Sequence, residues 1–208
     1  MLNANTLKTA MQEISDTMAA NRQFLIELDQ RNGDGDLGIS MSEGFAAASK
    51  FVFESEENDL GKLLIGAGKV FNEAAPSSLG TIMSLCMMGM ARVFKGHQAA
   101  DMSMLGEALT SGVNKIMERA NSKPGEKTVL DALDPAARAI CDNASKGTIP
   151  ALEAAYKAAK EGSDSTAAMK AVHGRAAYYG DKAIGLIDGG SVAGMLVFEA
   201  ILRAAQKM

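Results

Sequence analysis

Apolar residues recur every three, four or seven positions along most of this chain, which is the spacing of one face of an α-helix. Three such stretches cover residues 11–28, 60–71 and 102–117. No segment shows the strict alternation of apolar and polar residues that a half-buried strand requires. Aromatic residues make up only 5%, and alanine is abundant, which favours closely packed helices over sheets. The sequence therefore predicts an all-α fold of about eight helices joined by short loops.

Several residues predict where individual helices begin. Asp101 precedes the third periodic stretch and is placed as an N-cap. Thr148, two residues before a proline, marks another helix start. We expect Ser163 or Asp164 to cap the helix after that one. The last helix is expected to cover residues 191–206.

The loops predict a single domain over residues 1–208. The acidic segment 54–59 and the turn-rich segment 121–126 are too short to separate two domains. The two cysteines, Cys86 and Cys141, cannot form a disulfide framework, and both lie in helical stretches where we expect them to be core residues. Such sparse cysteine usage suits a reducing compartment, so a cytoplasmic location is expected.

Composition excludes some partners and leaves one open. A net charge of −4 at pH 7 argues against a nucleic-acid-binding surface, which would be basic. No apolar run approaches the length of a transmembrane helix, so no membrane span is expected. Fourteen methionines include a cluster within residues 83–90 that predicts core packing. An interface role for some of these methionines, and with it a homodimer, stays open.

One loop carries residues that helix packing does not explain. Asp29, Asp34 and Asp36 lie close together in sequence, with glycines between and after them that permit a tight turn. Three carboxylates brought to one point repel each other and require a cation. Hard oxygen ligands suit Mg²⁺ or Ca²⁺. The alternative is a solvated surface turn without a metal.

Three further loops depart from the helical pattern, and two of them hold candidate anion ligands. Ser77 and Ser78 open an apolar helix whose first N–H groups can hold a phosphate, although on their own these residues are better explained by a plain serine N-cap. Residues 125–135 contain a spacing like that of a capping box. Arg175 is a candidate phosphate clamp, with His173 beside it, and residues 188–190 form a flexible turn. Together the loops hold the parts of a Mg²⁺–nucleotide site, without the P-loop motif.

The order of these motifs resembles a known family. The sequence contains LD-x₃-GDGD-x-G, then SSLGT, then GEKTVLDALDP, and then GRAAYYGDKAIG followed by DGG. In combination they resemble the nucleotide-binding L subunits of dihydroxyacetone kinases over nearly the whole chain. The resemblance implies an antiparallel eight-helix barrel with the nucleotide at one end.

The resemblance also assigns site residues. Asp29, Asp34 and Asp36 match carboxylates that hold two Mg²⁺ ions, and with Arg175 they would carry the catalysis. Val129 lies where the family has a residue, usually methionine, that packs on adenine. The full set assigned to the nucleotide is Leu37, Gly38, Ile39, Ser40, Ser77, Ser78, Val129, Arg175, Asp188, Gly189 and Gly190. In this set Leu37 stands where histidine is usual, and Gly189 stands where proline is usual.

The implied activity is that of a kinase subunit which is active only with a partner. It would bind ADP or ATP and pass phosphate to dihydroxyacetone, or another short ketose such as a tetrulose, held by a separate K subunit. A phosphocarrier M subunit of a phosphotransferase system would recharge the nucleotide. Two alternatives stay open. One is a nucleotide-binding docking module without turnover, favoured by Leu37; the other is a helical protein with an unrelated Ca²⁺ loop.

Overall fold

Nine α-helices account for most of the chain in this computed structural model, which describes residues 1–208. The helices are α1 (Ala4–Ala20), α2 (Arg22–Asp29), α3 (Leu37–Glu54), α4 (Leu60–Ala74), α5 (Ser78–Phe94), α6 (Met102–Ala120), α7 (Leu130–Asn143), α8 (Thr148–Ser165) and α9 (Gly189–Gln206). Short 3-10 helices cover Ala144–Lys146, Thr166–Ala168 and Arg175–Ala183. Two short strands, β1 (Leu2–Asn3) and β2 (Ala99–Ala100), pair antiparallel.

Eight of the helices form a closed ring. From α3 to α9 each helix packs against the next along the chain, and α1 closes the ring between α3 and α9. Helices that follow each other in the chain, pack together and are joined by short connections run antiparallel. The all-α class and the eight-helix barrel are therefore confirmed. The remaining helix, α2, lies outside the ring and packs mainly against α3. The helical conformation is interrupted at Asn21, which divides the expected continuous helical face of residues 11–28 between α1 and α2.

The core follows the predicted apolar faces, with aromatic rings at a few points and small residues elsewhere. Phe45 of α3 and Phe71 of α4 meet edge to face with their centroids 4.8 Å apart, and both are buried. Between α5 and α6 the backbones approach so closely that a Cβ on Gly89 would lie 2.6 Å from the Cα of Gly112. The abundance of small residues is thus a packing requirement of these helix contacts.

Two expectations about helix boundaries need correction. Ser163 and Asp164 lie inside α8 and cap no helix. The hydroxyl of Ser163 is buried 2.9 Å from that of Ser191, so it joins α8 to α9. The last helix begins at Gly189, two residues earlier than expected, because the side chain of Asp188 accepts a hydrogen bond from the Ser191 N–H and caps it.

The expectation that both cysteines are core residues is half wrong. Cys86 is buried, whereas Cys141 is exposed. Ile140 already occupies the inward position of α7, and the next residue is turned by about 100° around the helix. Met83 and Met87 are buried core residues, as the methionine cluster predicted.

The antiparallel order places the loops that carry the candidate site residues at one end of the barrel. The N-termini of α3, α5, α7 and α9 lie at this end, together with the C-termini of α2, α4, α6 and α8. None of the helices combines the length and the apolar character that crossing a bilayer requires.

Candidate functional site

A cleft of about 810 Å³ opens at the end of the barrel where α3, α5, α7 and α9 begin. Its walls come from four parts of the chain, within 29–37, 76–82, 116–130 and 173–190. All four loops singled out in the sequence therefore meet at one place.

The turn after α2 brings three carboxylates together. Asp29 ends the helix, its carbonyl accepts a hydrogen bond from the Gly33 N–H at 2.6 Å, and its Oδ2 accepts one from the Gly35 N–H at 2.7 Å. Gly35 has φ +80°, a conformation that favours glycine. A Cβ on Gly33 would collide with the Asp29 carboxylate. The glycines thus allow the chain to fold around Asp29 and set Asp34 and Asp36 beside it.

These carboxylates form a group with the chemistry of a cation site. One oxygen from each of Asp29, Asp34 and Asp36 lies within 4.8 Å of the others. Burial, followed by the charges of Asp34 and Asp29, raises the pKa of Asp36, and Arg175 opposes this shift. The Nη2 of Arg175 lies 2.7 Å from the Oδ2 of Asp34, and both side chains are exposed. A cluster of carboxylate oxygens fits a hard divalent cation, whose charge offsets the repulsion between the carboxylates.

Four helix N-termini, those of α3, α5, α7 and α9, add positive character to the same cleft. Each carries N–H groups without partners in its first turn and the positive end of a helix dipole. Leu37 begins α3 at the cleft wall. Ser77 caps α5 by accepting a hydrogen bond from the Gly80 N–H at 3.0 Å, and Gly189 and Gly190 open α9. Such ends bind anions such as phosphate.

The start of α7 is fixed by only half of the predicted capping box. The Asp131 carboxylate accepts hydrogen bonds from the Gly125 and Thr128 N–H groups at 2.5 and 2.7 Å. The Thr128 hydroxyl accepts one from the Leu130 N–H, not from Asp131. This arrangement buries Val129 at the cleft wall. The apolar part of that wall consists of Leu79, Ile82, Ile116, Ala120, Val129 and Leu130.

Asp188 is a half-buried acid at the cleft wall. Burial raises its pKa to about 7, the nearby charge of Asp131 acts in the same direction, and the hydrogen bond from the Ser191 N–H and the charge of Lys127 oppose the shift. Asp188 thus combines a helix-capping role with an ionisation state that is sensitive near neutral pH.

Two neighbouring residues that sequence reasoning left without a role hold the loop that carries Arg175. The Glu126 carboxylate lies 2.7 Å from the Nε2 of His173, and that hydrogen bond, followed by one from the Lys123 N–H, lowers the pKa of Glu126. Lys127 is buried with its ammonium among backbone carbonyls. No signal in the sequence marks this lysine, because a lysine in a glycine-containing loop is usually exposed.

The structure brings most of the predicted site residues to the cleft, but not all of them. Those lining it are Asp29, Asp34, Asp36, Leu37, Ser77, Ser78, Val129, Arg175, Asp188, Gly189 and Gly190. Gly38 instead packs against the backbone of α2 at Arg22. Ser40 is buried, and Ile39 is exposed outside the cleft.

By its fold and site, this protein is an all-α barrel with a carboxylate cluster and four helix N-termini at one end. The DAK2 domain family model matches residues 32–203. The chain belongs to the DAK2 domain family.

Individual relatives extend the comparison over nearly the whole chain. The ADP-binding subunit DhaL of PEP-dependent dihydroxyacetone kinase 1 from Listeria innocua is 29% identical, and the match covers 93% of this chain and 92% of that protein. L-erythrulose 1-kinase from Mycolicibacterium smegmatis is 26% identical over 95% of this chain and 35% of its own length. Among solved structures, dihydroxyacetone kinase from C. freundii in complex with AMP-PNP and Mg²⁺ has a TM-score of 0.78 at 23% identity. This chain spans about a third of that structure, covering 34% of it.

Proposed function

We propose that this chain is the nucleotide-binding, phosphoryl-transferring subunit of a dihydroxyacetone-type kinase. The observation that carries the proposal is the single cleft in which three carboxylates, four helix N-termini and Arg175 meet beside an apolar wall. The carboxylates suit the metal ion, the helix N-termini and Arg175 suit the phosphates, and the apolar wall suits the base of a metal–nucleotide complex. The relative from Listeria innocua, described as an ADP-binding subunit, supports the same assignment.

Asp29, Asp34 and Asp36 are the residues that would hold magnesium. Bound there, Mg²⁺ would neutralise the phosphate charge and stabilise the transferring group. Two ions are proposed because three carboxylates exceed the one or two that a single Mg²⁺ usually takes from a protein alongside phosphate oxygens.

The remaining lining residues divide between the base and the phosphates. The apolar wall around Val129 and Ile116 offers a surface for a purine ring. Ser77, Ser78 and the turn at 188–190 present helix-start N–H groups to the phosphates. The exposed guanidinium of Arg175, which pairs with Asp34 in this structure, would pair with a phosphoryl oxygen and stabilise charge during transfer.

The acceptor is proposed to be a short ketose held by a separate K subunit, with a phosphocarrier M subunit restoring the bound nucleotide. The name of the Listeria innocua relative supports a PEP-dependent donor, and that of the Mycolicibacterium smegmatis relative supports a tetrulose as well as dihydroxyacetone. The functional unit is proposed to take in residues 1–208, because α1, which precedes the matched residues, closes the barrel. The free thiols of Cys86 and Cys141 suit the expected cytoplasmic location.

Calorimetry with ADP and ATP, with and without Mg²⁺, tests the proposal. We expect Mg²⁺-dependent binding that falls by about 100-fold or more in Asp34→Ala, roughly the loss of a charged ligand contact. Asp164→Ala is the matched control, since Asp164 lies on the surface of α8 and pairs with Lys160. Absence of nucleotide binding, or equal binding in both variants, would refute the proposal, and Ca²⁺ binding without nucleotide would favour an unrelated Ca²⁺ loop.

A second candidate function is a nucleotide-binding docking module without turnover. Leu37 favours it, because this side chain is buried and packs towards Gly189, so it offers no polar group to a phosphate. Turnover with the K and M subunits separates the two functions. Ketose phosphorylation by the complete system excludes the module as the main role, whereas tight nucleotide binding without turnover supports it.

A further inference from the structure

Lys127 is a buried lysine with backbone carbonyls around its ammonium. The residue is 2% exposed, and its Nζ donates to the carbonyls of Thr166, Ala183 and Met169 at 2.7, 3.0 and 3.3 Å and to that of Leu186. An ammonium has three protons to donate, so these acceptors saturate it. No carboxylate forms an ion pair with it.

All four acceptors belong to one segment, residues 166–186, which we call the strap. It joins α8 to α9 and carries Arg175 at the cleft wall. Lys127 holds carbonyls from both ends of the strap, and the Gly185 N–H closes its base with a hydrogen bond to the carbonyl of Ala167 at 2.7 Å. The neighbouring Glu126 holds its middle, through the Val172 N–H and His173.

The other side-chain ties of the strap include two exposed ion pairs, of which Arg175–Asp34 joins it to the turn after α2. The ion pair between Lys170 and Asp181 within the strap is exposed on both sides, so solvent weakens it. Tyr178 projects with 91% of its surface exposed. Without Lys127, each end of the strap loses two carbonyl hydrogen bonds.

Placing a lysine at position 127 is unfavourable in two ways. Its backbone has φ +61°, a left-handed conformation in which glycine or asparagine is more stable. Removing an ammonium from water costs several kcal/mol before its hydrogen bonds offset the loss. The same desolvation lowers the pKa of Lys127. Both the left-handed backbone conformation and the burial of the charge are unfavourable at this position. Together they indicate that the ammonium itself has a role.

We propose that Lys127 is a positioning residue that clamps the strap over the cleft and thereby sets where Arg175 meets the nucleotide. The part concerning nucleotide rests on the function proposed above. The part concerning the strap does not, because it follows from hydrogen bonds within the chain.

Limited proteolysis without nucleotide tests the clamp. Trypsin cleavage after Arg175 is measured in wild type, Lys127→Met and Lys127→Asn, with Lys170→Met as a matched lysine removal in the same strap. We expect cleavage to accelerate about tenfold or more in both Lys127 variants, because local opening governs such cleavage, and to stay near wild type in Lys170→Met. Asparagine tolerates the left-handed backbone, so Lys127→Asn preserves folding if the methionine variant melts early. Wild-type cleavage rates in a folded Lys127 variant would overturn the proposal.

A double-mutant cycle tests the link to Arg175. The dissociation constant of MgADP is measured for wild type, Lys127→Asn, Arg175→Ala and the double variant. We expect Lys127→Asn to weaken binding about tenfold in the wild-type background and less than about twofold when Arg175 is absent, since coupled residues are non-additive. Equal factors in both backgrounds would show a general structural role and overturn the positioning role. If wild type bound no MgADP, the function proposed above would fail, and proteolysis would still decide the clamp.

Discussion

At the scale of single residues, Asp188 illustrates how burial changes a side chain without removing its structural role. Its carboxylate caps α9 through the Ser191 N–H, while burial raises its pKa to about 7. In the unfolded chain the same carboxyl group titrates near 4. Between these two pH values the folded protein retains a proton that the unfolded chain releases.

Asp188 is therefore expected to make the protein less stable as pH rises from about 4 to about 7, because the folded state binds more protons over this range. Asp188→Asn retains a capping oxygen and removes the titration. We compare the free energy of unfolding of the variant with that of wild type. The difference is expected to shift in favour of the variant by up to about 4 kcal/mol between pH 4 and pH 8. Urea unfolding at pH 4, 6 and 8, without Mg²⁺ or nucleotide, measures the difference. An equal gap between the two proteins at all three pH values would contradict the assignment.

How far single residues were predictable depends on how far away their partners lie. The grouping of Asp29, Asp34 and Asp36 follows from local spacing and glycine turns, so sequence alone indicated it. The clamp by Lys127 depends on carbonyls at 166–186, which backbone topology brings near and which no side-chain pattern encodes. Gly38 fell in a predicted phosphate-contacting stretch, but helix packing directs it towards α2.

At the scale of helices, the contact between α5 and α6 shows what small residues do in this barrel. Gly89 and Gly112 let the two backbones approach, and the Ser111 hydroxyl donates a hydrogen bond to the Gly89 carbonyl at 2.8 Å. A Cβ at position 89 would meet Gly112 Cα and the Ser111 carbonyl at 2.6 and 2.7 Å. Backbone atoms cannot yield as a flexible side chain does, so the helices would have to separate.

Gly89→Ala is expected to lower the free energy of unfolding by about 1–3 kcal/mol, the usual cost of overpacking. Gly68→Ala in α4 is the comparison, since its Cβ would lie 3.3 Å from its nearest neighbour, the Cβ of Met87, and its loss should be smaller. Urea unfolding of both variants gives the values. A Gly89→Ala protein as stable as wild type would show that the close approach of α5 and α6 is not needed.

Most helices were predictable because their apolar spacing is regular over many residues. The segment 166–188 was not, and Ser163 or Asp164 was wrongly expected to cap a new helix starting there. A serine followed by an aspartate is a frequent helix start, but here Ser163 is buried against α9. The 3-10 turns that follow are held by tertiary hydrogen bonds, which local propensity does not describe.

At the scale of the whole molecule, the cleft joins segments from distant parts of the chain. Residues 29–37, 76–82, 116–130 and 173–190 all contribute to it. A ligand that contacts all of them binds the folded state and not the unfolded chain, so its binding energy adds to the stability of the entire barrel.

MgADP is accordingly expected to raise the melting temperature of the whole chain. At a ligand concentration of about 100 times the dissociation constant the gain is about 2.7 kcal/mol, or roughly 5–10 °C for a chain of this size. Differential scanning calorimetry with MgADP, and with ADP plus a chelator, measures it. Asp34→Ala should show little shift. An unchanged melting temperature at saturating MgADP would contradict this expectation.

The order in which the cleft segments occur along the chain has a consequence for biosynthesis. The acidic turn at 29–36 leaves the ribosome early, whereas Arg175 and the start of α9 follow only after the other ring helices have been made. A nascent chain therefore exposes its three carboxylates to solvent before any counterpart is available. The cleft is completed only when α9 docks. Nucleotide retention would therefore show that α9 has been synthesised and has folded, and it would distinguish finished molecules from arrested intermediates.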